Sequence, residues 1–246
     1  MPPTPHLFTH PDIAASQCRQ LSAFAHLLQQ ANRIHNLTRI TETERIYTRH
    51  FADSLQVLPH LDRLEGPGRL IDIGSGAGFP GLVLAIARPD WRITSLEATA
   101  KKVRFQQEVV DRLNLGNVTV RQGRAETVAH SPEDRESYDI VCSRAVSRLN
   151  ILAELTLPFC RPGGFFCAFK GAEAMAELHQ AREAIARLGG CYLQSIVYTL
   201  SELSQKVDLR HRDDDPSFAL LIIEKTGATP RRFPRAFGVI RERPLG

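Results

Sequence analysis

Residues 70–81, LIDIGSGAGFPG, combine a strand-like run, a glycine loop and the start of a helix. The loop has glycine at every second position (Gly74, Gly76 and Gly78), and Pro80 suits a first helical turn, where its missing N–H costs nothing. Glycines let the main chain turn tightly and let a ligand approach it. In open α/β sheets a loop of this kind, at the carboxyl end of the first parallel strand, binds nucleotide-like ligands.

Two acids flank this loop and indicate the class of ligand. Glu97 closes the next predicted strand, 23 residues after Gly74, where an acid accepts hydrogen bonds from ribose hydroxyls. The spacing is G-x-G-x-G, and Asp72 precedes the glycines, which disfavours the phosphate of a dinucleotide and tolerates a cation. A sulfonium with an amino-acid tail therefore fits better than a nicotinamide cofactor. The alternative is an ordinary tight turn beside a surface glutamate.

Apolar runs of strand length alternate with helical stretches beyond residue 66. The predicted strands are 69–73, 91–96, 118–121, 138–143, 164–169, 191–198 and 218–224, and the predicted helices are 80–87, 100–113, 149–159 and 173–188. This alternation predicts parallel strands with crossover helices on both faces. A polar segment without a clear helix joins the last two strands, which predicts a final antiparallel hairpin. The pattern is typical of a doubly wound, Rossmann-like α/β sheet of seven mostly parallel strands.

The first third of the chain has a helical pattern. Apolar residues recur at helical spacing, with Asp12 as a candidate N-cap, and a second helical stretch covers 42–58 before EGPG at 65–68 breaks it. The apolar positions of the first stretch are Ile13, Leu21, Phe24, Leu27, Leu28 and Ile34. We therefore predict three parts: an N-terminal helical extension (1–66), an α/β domain (67–228) and a basic C-terminal tail (229–246).

Composition excludes several classes of protein. Of the 246 residues 43% are hydrophobic and 24% charged, and no apolar run approaches the ~20 residues that span a bilayer. The N-terminus lacks a basic-then-apolar signal pattern, so we expect a cytoplasmic protein with no membrane partner. The five cysteines are odd in number and none forms a C-x-x-C pair, which predicts reduced thiols and no metal site.

The net charge of +4 is concentrated in the tail. Residues 229–246 hold five arginines and one acid, so the rest of the chain is neutral. Arginines interleaved with Phe233 and Phe237 suit contact with phosphates and bases, with Arg231, Arg232 and Arg235 as candidates. Two alternatives are a merely solubilising tail and a tail that its phenylalanines pack onto the body.

Several motifs together resemble the bacterial 16S ribosomal RNA (guanine-N7) methyltransferases, the RsmG or glucose-inhibited-division-B family. They are NLT (36–38), RHFADSL (49–55), DIGSGAGFPG (72–81), KKVRF (101–105), SRA (143–145) and FKG (169–171). The resemblance runs from about residue 31 to residue 225, and the RHxxDS and SRA elements make it more specific than a glycine loop alone. The chain departs from the family's pattern at two places: Glu97 stands where aspartate is frequent in the family, and residues 210–215 stand where a shorter basic turn is common.

The resemblance implies a class I S-adenosylmethionine-dependent methyltransferase fold with an N-terminal helical extension. S-adenosylmethionine would be the cofactor, 16S ribosomal RNA or the small ribosomal subunit the partner, and a monomer the acting form. The implied cofactor-binding residues are Gly74, Gly76, Gly78, Phe79, Glu97, Ala98, Thr99, Ala125, Glu126 and Arg144. The candidate RNA contacts are Asn36, His50, Lys170, Arg231, Arg232 and Arg235.

Guanine N7 carries an in-plane lone pair and loses no proton on methylation, so this chemistry needs no general base. Catalysis would come from holding N7 in line with the donor methyl. We therefore assign Arg144 to positioning and not to proton transfer. His50 and Asp53, three residues apart, either face RNA or form a buried pair that holds the extension to the sheet.

Other assignments remain open on the sequence. Asn36 is either a turn residue or a polar contact near the pocket. The alternative function is a class I methyltransferase with another substrate: another RNA, a protein or a small molecule. The N-P-P-Y or D-P-P-Y signature of amine methylation is absent, because SRAV occupies 143–146. A non-catalytic RNA-binding protein is a further alternative, which detection of bound cofactor would test.

Overall fold

The structure is a computed structural model, and it describes residues 8–144, 147–209 and 215–246. Its strands are β1 (Arg69–Ile73), β2 (Arg92–Glu97), β3 (Val118–Gln122), β4 (Tyr138–Ser143), β5 (Cys160–Lys170), β6 (Gly190–Thr199) and β7 (Ser217–Lys225). They form one seven-stranded sheet in the order β3-β2-β1-β4-β5-β7-β6. The first five of these are mutually parallel, and β7 is antiparallel to β5 and to β6. The predicted sheet is therefore confirmed, including its final antiparallel hairpin.

Helices cover both faces of the sheet. After the extension they are α5 (Gly81–Ala87), α6 (Ala100–Leu113), α7 (Ala125–Val128), α8 (Leu149–Thr156), α9 (Ala174–Arg187), α10 (Leu200–Lys206) and α11 (Phe237–Glu242), with a 3₁₀ turn at Leu157–Phe159. Side chains alternate between two cores along each strand, as the two-residue period of a strand requires. Leu70 and Ile140 face the first core, whereas Ile71 and Val141 face the second.

The N-terminal extension packs on the first face. It contains α1 (Ala15–His35), α2 (Thr43–Ile46), a π-helical segment (Tyr47–Ala52), α3 (Asp53–Leu55) and α4 (Leu58–Leu61). The buried side chains of α1 include Leu21, Phe24 and Leu28, a helical stripe that joins the first core together with α5 and α6. Gln17 Nε2 donates to the carbonyl oxygens of Ile86 and Ala87, at 2.9 and 3.0 Å, and so satisfies acceptors at the end of α5.

Two local predictions for these helices are wrong. Asp12 is not the N-cap of α1, because the helix starts at Ala15 and Gln17 Oε1 accepts from the main-chain N–H of Ala14. Ile34 lies on the predicted apolar stripe but is 75% exposed, at the end of α1. The predicted helical stretch at 42–58 is confirmed from Thr43 on, but Tyr47–Ala52 is π-helical, an irregularity that apolar spacing cannot reveal, and α4 continues to Leu61.

The polar link between the last two strands contains α10, which we did not predict. A capping box starts this helix: Thr199 Oγ1 accepts from the Glu202 N–H at 3.2 Å, and the Glu202 carboxylate accepts from the Thr199 N–H at 2.7 Å. The T-x-x-E signature was available in the sequence, although seven residues are too few for a periodic pattern. The sequence departure at 210–215 lies mostly outside the described residues, which resume at Asp215.

The C-terminal segment docks on the second face of the sheet. Phe233, Ile240 and Leu245 are buried, and the Arg135 guanidinium donates to the carbonyl oxygens of Thr229, Pro230 and Phe233 at 2.8–3.2 Å. The Arg235 guanidinium lies 2.6 Å from the carboxylate of Glu154, which is fully buried on α8. Phe237 differs from Phe233, because it is 38% exposed. The segment is thus packed onto the body.

Within the described ranges, no helix is both long enough and apolar enough to cross a membrane. The same residues bring together no group of three or more histidine, cysteine, aspartate or glutamate side chains that could hold a metal ion.

Candidate functional site at the carboxyl edge of the sheet

The glycine loop leaves space above its main chain. Gly74, Gly76 and Gly78 all have positive φ, at 69°, 62° and 99°, a region that favours glycine. A Cβ on Gly74 would meet no atom within 4 Å, and one on Gly76 would meet only the Gly74 carbonyl oxygen at 4.0 Å. A Cβ on Gly78 would instead lie 2.5 Å from a methyl carbon of Leu82. Gly74 and Gly76 therefore border open space, whereas Gly78 allows close packing against α5.

Asp72 lies beneath this loop, fully buried, with one oxygen unpaired. Its Oδ2 accepts from the Gly81 N–H at 2.7 Å, whereas Oδ1 has no hydrogen-bond partner in the described structure. Burial raises the pKa of Asp72 to about 7, against a smaller lowering by the Gly81 N–H and by Arg144. A cation seated on the loop would stabilise the ionised carboxylate. The unpaired oxygen therefore fits the cationic ligand that the sequence predicts.

Glu97, at the end of β2, holds the loop from the other side. Its Oε2 accepts from the Gly76 N–H at 2.9 Å and its Oε1 accepts from the Thr99 N–H at 2.8 Å. Each carboxylate oxygen has two lone pairs, so each keeps one for a ligand hydroxyl. The predicted ribose acceptor is thus placed beside the open space above Gly76.

The third strand brings two more predicted cofactor residues to the same edge. The Gly123 N–H donates to the Glu97 carbonyl oxygen at 3.1 Å, so the turn after β3 is tied to the end of β2. Ala125 and Glu126 form the first turn of α7, directly after this turn. Ala98 is exposed between Glu97 and Thr99. The residues assigned to the ribose and to the adenine are therefore adjacent, as a nucleoside site requires.

Gln106, a buried residue of α6, anchors the loop and was missed in the sequence. Its Nε2 donates to the Ser75 hydroxyl and to the Gly76 carbonyl oxygen, both at 2.8 Å, and its Oε1 accepts from the Ser95 hydroxyl. A glutamine inside a helix is ordinarily a surface residue, so spacing alone does not single it out. Gln106 thus ties the loop to α6 and to β2.

Arg144 follows β4 directly and joins the sheet to the extension. Its Nη1 donates to the Arg49 carbonyl oxygen at 2.7 Å and lies 3.3 Å from Asp53 Oδ2, while its Nη2 donates to His50 Nδ1 at 2.8 Å. Asp53 Oδ1 also accepts from the Tyr198 hydroxyl at 2.6 Å. Both terminal nitrogens of Arg144 are therefore engaged within the protein, which makes it a positioning residue for the extension.

His50 is neutral, and its hydrogen bonds define its tautomer. A guanidinium can only donate, so Nδ1 must carry the lone pair and Nε2 the proton, which points to the Thr38 hydroxyl 3.1 Å away. Burial, and next the charges of Arg144 and Arg49, lower the pKa of His50 to about 2. Its ring stacks on Phe79 with centroids 4.2 Å apart. The side chain of Phe79 thus faces the extension, and its main-chain N–H donates to the Ser75 carbonyl oxygen at 2.9 Å, so its predicted cofactor contact stays a prediction.

His50 and Asp53 do not form the direct pair that their spacing suggested. Both are buried, and both reach Arg144 instead. This geometry favours the structural alternative, in which they hold the extension to the sheet. His50 nevertheless lines a cavity as well, so its predicted RNA contact stays a prediction.

That cavity, of about 510 Å³, opens beside Arg144 at the carboxyl edge. It is lined by Ile40, Arg49, His50, Asp53, Arg144, Ser147, Arg148, Phe169, Lys170, Gly171, Glu177 and Phe218. The Arg49 guanidinium covers the Phe218 ring at 3.5 Å, and its Nη1 is buried without a hydrogen-bond partner among the described residues. The lining carries four arginine or lysine side chains against two acids, which favours an anionic ligand such as a nucleotide.

The other candidate RNA contacts lie in different places. Lys170 lines the cavity, but its ammonium contacts the Glu177 carboxylate and the Ser147 carbonyl oxygen, each at 2.6 Å. Asn36 is the exposed C-cap of α1, with φ of 47°. Arg231 and Arg232 are exposed on the docked C-terminal segment, whereas Arg235 is paired with Glu154. That ion pair does not favour the predicted phosphate contact of Arg235.

Comparison with known proteins agrees with this geometry. The family described as rRNA small subunit methyltransferase G, GidB, matches residues 17–205. The "Ribosomal RNA small subunit methyltransferase G" of Roseiflexus castenholzii is 44% identical over 229 residues, 93% of this chain and 92% of the relative. The protein with the same name from Leuconostoc mesenteroides is 40% identical over 234 residues, 95% of this chain and 93% of the relative.

A solved structure gives the same architecture. Geranyl diphosphate C-methyltransferase from Streptomyces coelicolor, in complex with S-adenosyl-L-homocysteine, Mg²⁺ and geranyl diphosphate, superposes with a TM-score of 0.51 and 16% identity. The match covers 71% of this chain and 79% of that one, and at this identity it shows the fold alone, a class I methyltransferase fold. Most of the extension and the whole glycine loop lie within the residues that the family covers. The chain therefore belongs to the GidB family of ribosomal RNA small subunit methyltransferases G.

Proposed function

We propose that this protein transfers a methyl group from S-adenosylmethionine to N7 of a guanine in 16S ribosomal RNA. Membership of the GidB family supports the reaction and the substrate class. The choice of N7 is supported by one observation at the carboxyl edge: every acid or histidine that lines the cavity already has a partner. We expect the protein to act in the cytoplasm, as a monomer, on the RNA or on the small ribosomal subunit.

The partners of these groups hold each of them in a structural role, so none of the three is free to turn toward the acceptor as a general base. The single lone pair of His50 accepts from Arg144, and burial keeps the ring neutral. Asp53 accepts from Tyr198 and Arg144, and Glu177 is paired with Lys170. Methylation of an exocyclic amine must release a proton to a base, whereas N7 of guanine attacks through a lone pair that carries no proton. This cavity therefore suits guanine N7 as the acceptor.

The chain's own residues would hold the reactants in line. When bound, S-adenosylmethionine supplies an electrophilic methyl group on a sulfonium. Gly74 and Gly76 leave space for that cofactor, Glu97 offers its remaining lone pairs to the ribose hydroxyls, and Asp72 offers a carboxylate to its positive charge. Arg144 acts indirectly, by fixing His50 and through it Phe79 of the loop. Positioning of this kind supplies several kcal/mol of a reaction barrier (roughly 7–11 at most).

Mass mapping of modified guanines in 16S ribosomal RNA tests the proposal. RNA from cells that lack the protein is compared with RNA from cells that make the wild type, the Gly76→Val variant or the Gly66→Val variant. Gly76 and Gly66 both have positive φ and open space at Cβ, so both substitutions strain the main chain alike, but only Gly76 lies in the loop. We expect one 7-methylguanine that is lost with Gly76→Val and kept with Gly66→Val.

One result would contradict this function, and another would contradict the role of the loop. A protein-dependent methyl group on an exocyclic amine or on a ribose would refute the N7 assignment. Equal loss of the modification in both glycine variants would show that backbone strain, and not the loop, explains the effect.

A further inference from the structure

A second, wider depression lies on the N-terminal extension. This groove, of about 1340 Å³, is lined by Gln29, Asn32, Arg33, Asn36, Leu37, Thr38, Arg39, Ile40, Thr41 and Lys102. It therefore lies between the end of α1, the segment after it and the start of α6. We call it the extension groove.

The charges of the extension groove have one sign. Arg33, Arg39 and Lys102 line it, Arg33 and Arg39 are exposed, and no acid is among its lining residues. None of these three cations forms an ion pair with a described residue. The remaining lining side chains are amides, hydroxyls and aliphatic groups, without an aromatic ring. Unpaired cations beside amides and hydroxyls suit phosphates and riboses, whereas base stacking would need aromatic rings.

The extension groove lies next to the cavity beside Arg144. Ile40 lines both of them. Thr38, another lining residue of the groove, has its hydroxyl 3.1 Å from Nε2 of His50 in the cavity wall. The neighbours of a nucleotide whose base enters the cavity would therefore lie close to the extension groove.

The basic C-terminal segment offers no such path. It packs on the second core, with Phe233 and Leu245, whereas the extension packs on the first. No residue of 229–246 lines the cavity or the extension groove. The concentration of net charge in this segment is thus a poor guide to the position of the RNA.

We propose that the single strand flanking the target nucleotide lies in the extension groove, with Arg33, Arg39 and Lys102 against its phosphates. The inference rests on the proposed function and adds the route of the RNA. Guanidinium groups bind phosphate oxygens through two parallel N–H donors, and an ammonium binds them as a point charge. Contacts of this kind give affinity without sequence preference.

A pair of charge-matched variants tests the route. The first replaces Arg33, Arg39 and Lys102 by Gln, and the second replaces Arg231, Arg232 and Arg241 by Gln. Each removes three charges, and the three tail arginines are exposed. The probe is 16S ribosomal RNA from cells lacking the protein, with small subunits from the same cells as a second substrate. Binding is measured across a range of salt concentrations, and methyl transfer is measured in parallel.

Each phosphate contact with a single strand contributes a slope of about −0.7 in log K against log salt. We expect the groove variant to flatten the slope by about 2 and the tail variant to leave it unchanged. Equal flattening in both variants, or flattening in the tail variant alone, would overturn the proposed route. If the wild type transfers no methyl group to either substrate, the proposed function itself fails. Methyl transfer by the wild type with an unaltered slope in the groove variant refutes the route only. Thermal melting of each variant verifies that it is folded.

Discussion

Replacing Glu97 by Ala tests the cofactor site most directly, because Glu97 has two tasks. It accepts from the main-chain N–H groups of Gly76 and Thr99, and it keeps lone pairs for the ribose hydroxyls. Alanine removes both sets of bonds. Hydrogen bonds to a charged acceptor contribute roughly 1.5–3 kcal/mol each. Loss of one ribose bond alone predicts a cofactor Kd about 10- to 150-fold weaker.

Glu97→Gln should have an intermediate effect. Its carbonyl oxygen can replace one carboxylate oxygen, but its NH₂ group must face the other main-chain donor. One of the two loop bonds is therefore lost, and the remaining acceptor carries no charge. We expect the affinities to fall in the order wild type, Glu97→Gln, Glu97→Ala.

Calorimetric titration with S-adenosylmethionine measures these affinities, and Glu183→Gln is the matched control. Glu183 is exposed on α9, where it pairs with Arg187, so its replacement should leave the Kd unchanged. Hydrogen exchange at the Gly76 amide separates the two tasks of Glu97, since a loosened loop exchanges faster even without ligand. An unchanged Kd in Glu97→Ala would refute the assignment of the site.

Three further predictions concern the ionisable side chains Asp72, His50 and Arg235. Because a cation stabilises ionised Asp72, whose pKa is about 7 in the free protein, cofactor binding at pH 6 should release about one proton, and much less at pH 8. Calorimetry in buffers of different ionisation enthalpy measures the number of protons released. Proton release that persists in Asp72→Asn would count against Asp72 as the source. His50 has a folded pKa of about 2 against an ordinary 6.5, so the stability that its neutral form provides is present above pH 6.5 and is lost as pH falls below it. The free energy of unfolding should drop between pH 7.5 and 5.5 by about 1.4 kcal/mol more in the wild type than in His50→Gln; equal drops would exclude His50 as a source. Arg235→Gln should lower the melting temperature, because it leaves the buried carboxylate of Glu154 without its cation; the expected loss in the free energy of unfolding is about 3–5 kcal/mol. The same variant should leave the salt dependence of RNA binding unchanged. A flatter salt slope at an unchanged melting temperature would restore the original view of this segment as an RNA contact.

The sequence by itself determined the sheet and the cofactor loop. Strand periodicity and glycine spacing are local properties, so β1 and its loop were identified within twelve residues. Glu97 was found because the β-α-β unit sets the distance between the glycines and the acid of the next strand. The motifs at 49–55 and 143–145 indicated the family before any contact between them was known. They did not indicate that Arg144 would bond to the main chain of Arg49 and to His50.

Only the tertiary structure decided which partners the charged side chains take. Arg144 and His50 are 94 residues apart, and Arg235 and Glu154 are 81 apart, so neither pair leaves a local pattern. The arginines of the C-terminal segment resemble a free basic tail until Phe233 and Arg235 are seen packed on the second face. The cations of the extension groove, conversely, are not clustered in the sequence, because they come from two helices and a connecting segment. Local spacing specifies backbone elements, whereas the direction and pairing of a side chain depend on what distant segments place beside it.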